Sequence, residues 1–390
     1  MKKYFYLILF SVLAFSGFAQ TKIEKFIKGN IAEKTAAVRE SSGSDAVWLC
    51  NKAFSMVLES KTYLEEDREL DGLAVAAVLS YPQDYLQTLT DQEKERVVKD
   101  FISLFDSFKT SPTVQIAVIS KLTQLSKDLN IQSFVKFLNV YLYSSENEKN
   151  DTAVFKSALN FLAGYGNNES FIVCYNLWIS GKFSAFSSDF EKVIVSLIPQ
   201  SMNEALTIAS GNNIERISVF FRLLEKEKAK INENFLSEIA EKILSGTLII
   251  MRDSQVLDEN IIDLQISAVK VLKHNRWTRA SAVLLTYFDV ASGLYGKNYM
   301  DENSFITVIT SLYDVSPFGA VSPLIEYLES LNRQVEAKQK VSEAVVLAVI
   351  NTLGAIGDKS AFDSLLSVTY YNYPQTVLAA AREALSGLKW

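Results

Sequence analysis

Three apolar residues in one helical stretch, Val345, Ala348 and Leu353, recur as Val377, Ala380 and Leu385, each 32 positions further on. Coincidence at one offset of that size marks a repeat in the range used by helical arrays. A unit of this length cannot bury its apolar face alone. It is stable only when neighbouring units stack on it, so a chain of 390 residues can grow by adding units and not by enlarging one core. The pattern inside the unit is helical. Val345, Ala348, Val349, Thr352 and Leu353 follow the i, i+3, i+4 spacing that lines one face of a helix.

The same period runs through most of the chain. It appears in Val114, Ala117, Val118 and Leu122, and again in Ile131, Phe134, Val135 and Leu138. Alternation of the kind that builds strands, with hairpin turn chemistry, is hard to find. Several of the six prolines fall where helices should begin, at Pro112, Pro323 and Pro374. A first helical turn tolerates proline because its missing N–H would have no partner there. Cap residues mark other starts: Ser44-Asp45, Thr90-Asp91, Asn150-Asp151 and Ser187-Ser188-Asp189. Glu93, three residues after Thr90, completes a capping box. With 48% hydrophobic and 22% charged residues, the chain has ample material for a core and lies outside the disordered class.

The turn at the C-terminal repeat is the most specific. Leu353-Gly354-Ala355-Ile356-Gly357-Asp358 ends one helix, and Ser360-Ala361-Phe362 through Leu365 opens the next. Gly357 can take the left-handed conformation that closes a helix, and Asp358 can cap its successor. Looser copies occur at Leu159 to Phe171, at Ile309 to Leu328, at Ile266 to Leu284 across His274, and at Ile116 to Leu142. The motif from Leu353 to Leu365 resembles the HEAT-like repeats described in phycobilin lyase subunits. That resemblance covers 340–390 most clearly, and it implies an all-α fold, an α-solenoid (α-α superhelix) of stacked antiparallel helix pairs. The tetratricopeptide pattern of about 34 residues, with its fixed Trp, Gly and Tyr positions, is not found. The expected organisation is a leader over 1–20, an N-terminal helical or capping region over 21–110 starting with a helix from Lys22 to Arg39, and HEAT-like repeats over 111–390. The charged break from Leu224 to Lys230 reads as a solvated helix end or loop, or as a divide between two sub-arrays.

The first residues predict export. Lys2-Lys3, an apolar run from Tyr4 to Phe15 and small residues at Gly17 and Ala19 form a secretory signal peptide, with cleavage expected near Ala19 or Gln20. The run is well short of the roughly 20 residues needed to span a bilayer. No stable membrane span is expected after cleavage, and the expected location is the periplasm of a bacterium or the outside. Losing Lys2 and Lys3 with the leader takes the net charge from −6 to −8. That sign argues against nucleic acid, which needs a basic stripe to neutralise phosphates. Cys50 and Cys174 both sit in apolar helical context, and free buried thiols are the expectation.

The search for chemistry finds no catalytic, cofactor-binding or metal-ligating residue. His274 is the only histidine, without the partners at fixed spacing that a metal site or a triad needs. No phosphate loop or Gly-x-Ser-x-Gly elbow occurs. The carboxylate clusters Glu65-Glu66-Asp67, Asp258-Glu259 and Asp301-Glu302 stand at helix starts, where acidic groups meet the helix dipole favourably. Tyr370, Tyr371 and Tyr373 differ from the other aromatics because they crowd one inter-helix loop. Tyrosine is enriched at binding hot spots, so these three are the candidate partner-binding residues. The alternative for them is that they fold back over the last repeat pair. The function expected is a non-enzymatic interaction scaffold for a protein or peptide partner. The alternatives are an enzyme or accessory subunit acting on an envelope component, and a small-ligand binder.

Overall fold

The computed structural model describes residues 21–64, 66–144, 151–254 and 259–389. The leader and Glu65, Asn150, Asp258 and Trp390 lie outside the described residues. The protein is all-α. Among the described residues the only β pairing is an isolated parallel bridge between Asp358 and Lys389. No described helix is long and apolar enough to cross a membrane. The chain divides into two compact units, one up to Leu197 and one from Ile198. The junction at 110/111 therefore falls inside the first unit, at the turn before Pro112.

In the first unit the helices are α1 (Lys22–Lys28), α2 (Ile31–Arg39), α3 (Gly43–Lys61), α4 (Arg68–Ser80), α5 (Gln83–Leu86), α6 (Asp91–Ser107), α7 (Pro112–Leu125), α8 (Gln132–Ser144), α9 (Thr152–Tyr165), α10 (Asn168–Ile179) and α11 (Ser187–Leu197). They form two layers. In one, α2, α4, α7, α9 and α11 each pack on the next. In the other, α3, α6, α8 and α10 do the same. Across the layers, α3 meets α4, α6 meets α7, α8 meets α9, and α10 meets α11.

The second unit repeats the plan. Its helices are α12 (Met202–Ala209), α13 (Ile214–Lys226), α14 (Glu233–Ser254), α15 (Glu259–His274), α16 (Ser281–Gly296), α17 (Glu302–Val315), α18 (Val321–Glu336), α19 (Glu343–Ile356), α20 (Phe362–Val368) and α21 (Gln375–Ser386). One layer runs α13, α15, α17, α19, α21. The other runs α12, α14, α16, with α18 packed on α20. Phe288 of α16 and Tyr327 of α18 join that second layer edge to face, with ring centroids 5.8 Å apart.

Local chemistry explains where the helices begin. Thr90 and Glu93 close a reciprocal capping box on α6, and Pro112 opens α7. The helix expected from Lys22 to Arg39 is two helices, because Asn30 and Glu33 form a second capping box that starts α2 afresh. Gly357 ends α19 in the left-handed region at φ 72°, and the Asp358 carboxylate accepts from the Ser360 N–H. The charged segment after Leu224 is the end of α13 followed by a short 3-10 turn, Lys228–Lys230.

Side-chain bonds between pairs give the architecture its measure. Asn332 Nδ2 donates to Ser367 Oγ across 35 residues, Ser281 bonds Ser316 across 35, Lys192 Nζ donates to Asn160 across 32, and Lys121 Nζ reaches the Leu79 carbonyl across 42. Each tie joins a pair to the neighbour one repeat away. Stacked helix pairs of this kind are consistent with a helical repeat, or solenoid, fold. Within each unit an apolar core lies between the layers. Val345 and Val377, one repeat apart, are both fully buried. Each such burial stabilises by roughly 1.5–3 kcal/mol.

Candidate functional site

The tyrosine loop is split by the fold. Tyr370, after the end of α20, is 78% exposed. Tyr371 is half-buried. Tyr373 is buried, and its hydroxyl donates to Asn332 Oδ1 at 3.0 Å. Asn332 in turn holds Ser367, so Tyr373 ties the last connection to α18. Burial pushes the Tyr373 hydroxyl up to about 12, as expected of a phenol kept neutral in the interior. The three tyrosines therefore do not form one exposed patch.

His274 is exposed at the end of α15 and lines a cleft of about 430 Å³ with Glu225, Lys228, Glu233 and Lys270. No hydrogen bond or ion pair holds its ring among the described residues. Asn275 beside it is fixed, donating to Ser237 Oγ at 2.8 Å and to the Glu233 carbonyl. The next residues strap the turn onto α14. Trp277 Nε1 donates to Glu241 Oε2 at 2.7 Å, and Arg279 bridges Glu238 and Glu241. Burial raises the Glu225 carboxyl, opposed by Lys270, Lys228 and Arg222. The cleft thus carries mixed charge without a nucleophile–base pair.

Two carboxylates of the acidic clusters cap helices. Asp67 accepts from the N–H groups of Glu69 and Leu70 at the start of α4. Asp301 accepts from the Ser304 N–H at the start of α17, and hydrogen bonds from the Ser304 hydroxyl and then its N–H hold the Asp301 carboxyl below the usual range. Among the described residues no group of three His, Cys, Asp or Glu side chains is placed to hold a metal ion. Cys50 and Cys174 are free and buried.

A further cleft lies in the first unit. It is about 290 Å³ and lies in the seam between α3 and α6, lined also by Tyr81 from the α4–α5 connection and Tyr85 from α5. Asn51 and Ser55 face it from α3, and Arg96 and Asp100 from α6. The Tyr81 ring is clamped between Phe54, stacked at 5.8 Å, and Phe101, edge-on at 5.8 Å. Only 2% of Tyr81 is exposed, at the wall of the cleft. Burial raises its hydroxyl strongly, and the charges of Tyr85, Cys50 and Asp100 raise it further. Asp100 is raised by desolvation alone, since no cation pairs with it. Its side chain lies at the open rim, so the protein removes only part of its water. The one sequence signal for this site is the spacing of Glu93, Arg96, Val97 and Asp100 along one face of α6.

No protein-family model matches the chain, and no curated protein matches it significantly.

Proposed function

We propose that the helix pairs are HEAT-like repeats and that the protein is an exported scaffold that binds a protein or peptide partner in the bacterial envelope. The observation that carries this reading is the spacing of the ties between pairs. Bonds such as Asn332–Ser367 and Lys192–Asn160 span one repeat, so each pair spends its side chains on adjacent pairs. The outward face of each layer is then left for another molecule. The capping roles of Asp67 and Asp301 support the non-enzymatic reading, because they give those carboxylates a structural duty. The motif around Gly357 and Asp358 supports the HEAT-like assignment, and the basic, apolar and small-residue order of residues 1–20 supports export.

The test is affinity capture from the native envelope with the mature chain as bait, with crosslinking and mass spectrometry. The reading expects one partner in stoichiometric yield, recovered again when the bait and prey are exchanged. Repeated recovery of none, together with turnover of an envelope polymer by the purified chain, would replace it with an enzyme.

A further inference from the structure

We propose that Met251 is a redox modification site, at which a peroxide converts the thioether to one of the two epimers of methionine sulfoxide, and that the Gln265 amide decides which one. The geometry comes first. Thr247 and Met251 stand one turn apart on α14, and both meet Gln265 of α15. The Gln265 side chain is fully buried. Its Nε2 donates to Thr247 Oγ1 at 3.1 Å and to Met251 Sδ at 3.3 Å. The amide cannot be turned over. The Thr247 hydroxyl gives its own hydrogen to the Ile243 carbonyl at 2.8 Å, so its oxygen only accepts, and only the NH2 end of Gln265 satisfies it.

This orientation has a cost that packing does not explain. Gln265 Oε1 is left buried with no hydrogen-bond partner among the described residues, which destabilises the fold. A leucine would fill the seam without that cost. What the amide adds is a donor on the sulfur. A thioether sulfur carries two lone pairs, and Gln265 covers one of them. Met251 is half-buried, not sealed in the core as Gln265 is, so a small oxidant reaches it from the side away from the amide. With hydrogen peroxide, the uncovered lone pair attacks one oxygen, the O–O bond breaks, and the transferred oxygen passes its proton to the departing hydroxide. One peroxide becomes the sulfoxide oxygen and one water. Sulfur loses two electrons and the peroxide gains them. Attack through one lone pair alone sets one configuration at sulfur. Each epimer is restored by its own class of reductase, so Gln265 also selects the class that repairs the site. Met202, which starts α12 and is 42% exposed, has no hydrogen bond to its sulfur among the described residues and serves as the internal reference.

The test treats the purified mature chain with limiting hydrogen peroxide, digests it and isolates the peptides that carry Met251 and Met202. Each peptide is then exposed to two sulfoxide reductases of opposite epimer preference, and mass spectrometry reads the oxygen that remains. The same oxidation is run in urea, and on Gln265→Leu after circular dichroism has checked its helix content. In the native chain one Met251 epimer should exceed the other by about tenfold or more, the ratio that a barrier difference of about 1.4 kcal/mol produces. The ratio should fall towards equality in urea, in Gln265→Leu and at Met202. Equal epimers at Met251 in the native chain, selectivity unchanged in a folded Gln265→Leu chain, or oxidation of Met202 with none at Met251 would overturn the proposal. Where Gln265→Leu fails to fold, the urea arm decides: equality there supports the proposal, and a ratio kept in urea overturns it. These readouts use a small oxidant on the isolated chain, so they succeed or fail independently of partner capture.

Discussion

The Tyr373 hydroxyl donates to Asn332 Oδ1 at 3.0 Å across 41 residues, and this bond fixes the last inter-helix connection onto the preceding pair. Removing it should destabilise the second unit. Tyr373→Phe leaves a buried amide oxygen unpaired, at a cost of about 1–2 kcal/mol. Tyr370→Ala removes an exposed ring and should change stability by no more than about 0.5 kcal/mol. Urea unfolding of the two variants, followed by circular dichroism, checks the contrast. Equal effects would mean that the Tyr373 bond adds nothing.

Gly354 and Ala384 press α19 against α21. A methyl group added at Gly354 would stand 2.8 Å from the Ala384 Cβ and 3.0 Å from its Cα. Gly354→Ala should therefore destabilise by about 1–3 kcal/mol through overpacking. Ala384→Gly in the same chain removes the clashing methyl and should recover part of the loss, which a double-mutant cycle measures directly. Additive effects would contradict the contact.

The buried thiols should be inert in the folded chain. Burial pushes Cys50 up to about 12 and raises Cys174 as well. A thiol reacts as its thiolate, so a disulfide reagent at pH 8 should titrate none until denaturant is added, and then two. Fast modification of the native chain would contradict the burial.

The same shifts set the alkaline limit of stability. An unfolded thiol ionises near its ordinary value of 9.0, whereas Cys50 holds its proton to about 12. Tyr327 and Tyr373 are likewise held up to about 12. Between these values the unfolded chain has released protons that the folded chain still binds. Stability is therefore full below about pH 9 and falls as pH rises towards 12. Unfolding midpoints in urea should be close at pH 7 and pH 8.5 and clearly lower at pH 10.5. A flat series would contradict the assignment.

Much of the fold is legible in the sequence because its signals are local. Gly357 and Asp358 announce a helix end and restart, and both behave as their chemistry requires. The offset of 32 is also real, since α19 and α21 start at Glu343 and Gln375, where Thr376 bonds Glu343. It slips at the other end. Leu385, the counterpart of buried Leu353, is only half-buried. The break at Asn30 was readable from Asn30 and Glu33, but the apolar period running across it obscured the cap. Tyr373 stands out in the sequence for its loop position, but its hydroxyl is held by Asn332, 41 residues upstream. The α3–α6 cleft was beyond local reading for the same reason. Asn51, Tyr81 and Asp100 belong to three elements and converge only when the layers stack.

The central claim is that each pair is stabilised by its immediate neighbours in the chain. Deleting residues 358–390, which removes α20 and α21, tests it most directly when followed by amide hydrogen exchange. The account predicts that α13 to α17 keep their protection and only α18 and α19, which lose a neighbour, exchange faster. Loss of protection throughout α13 to α17 would contradict it, because it would mean that the second unit is held by contacts between remote parts of the chain.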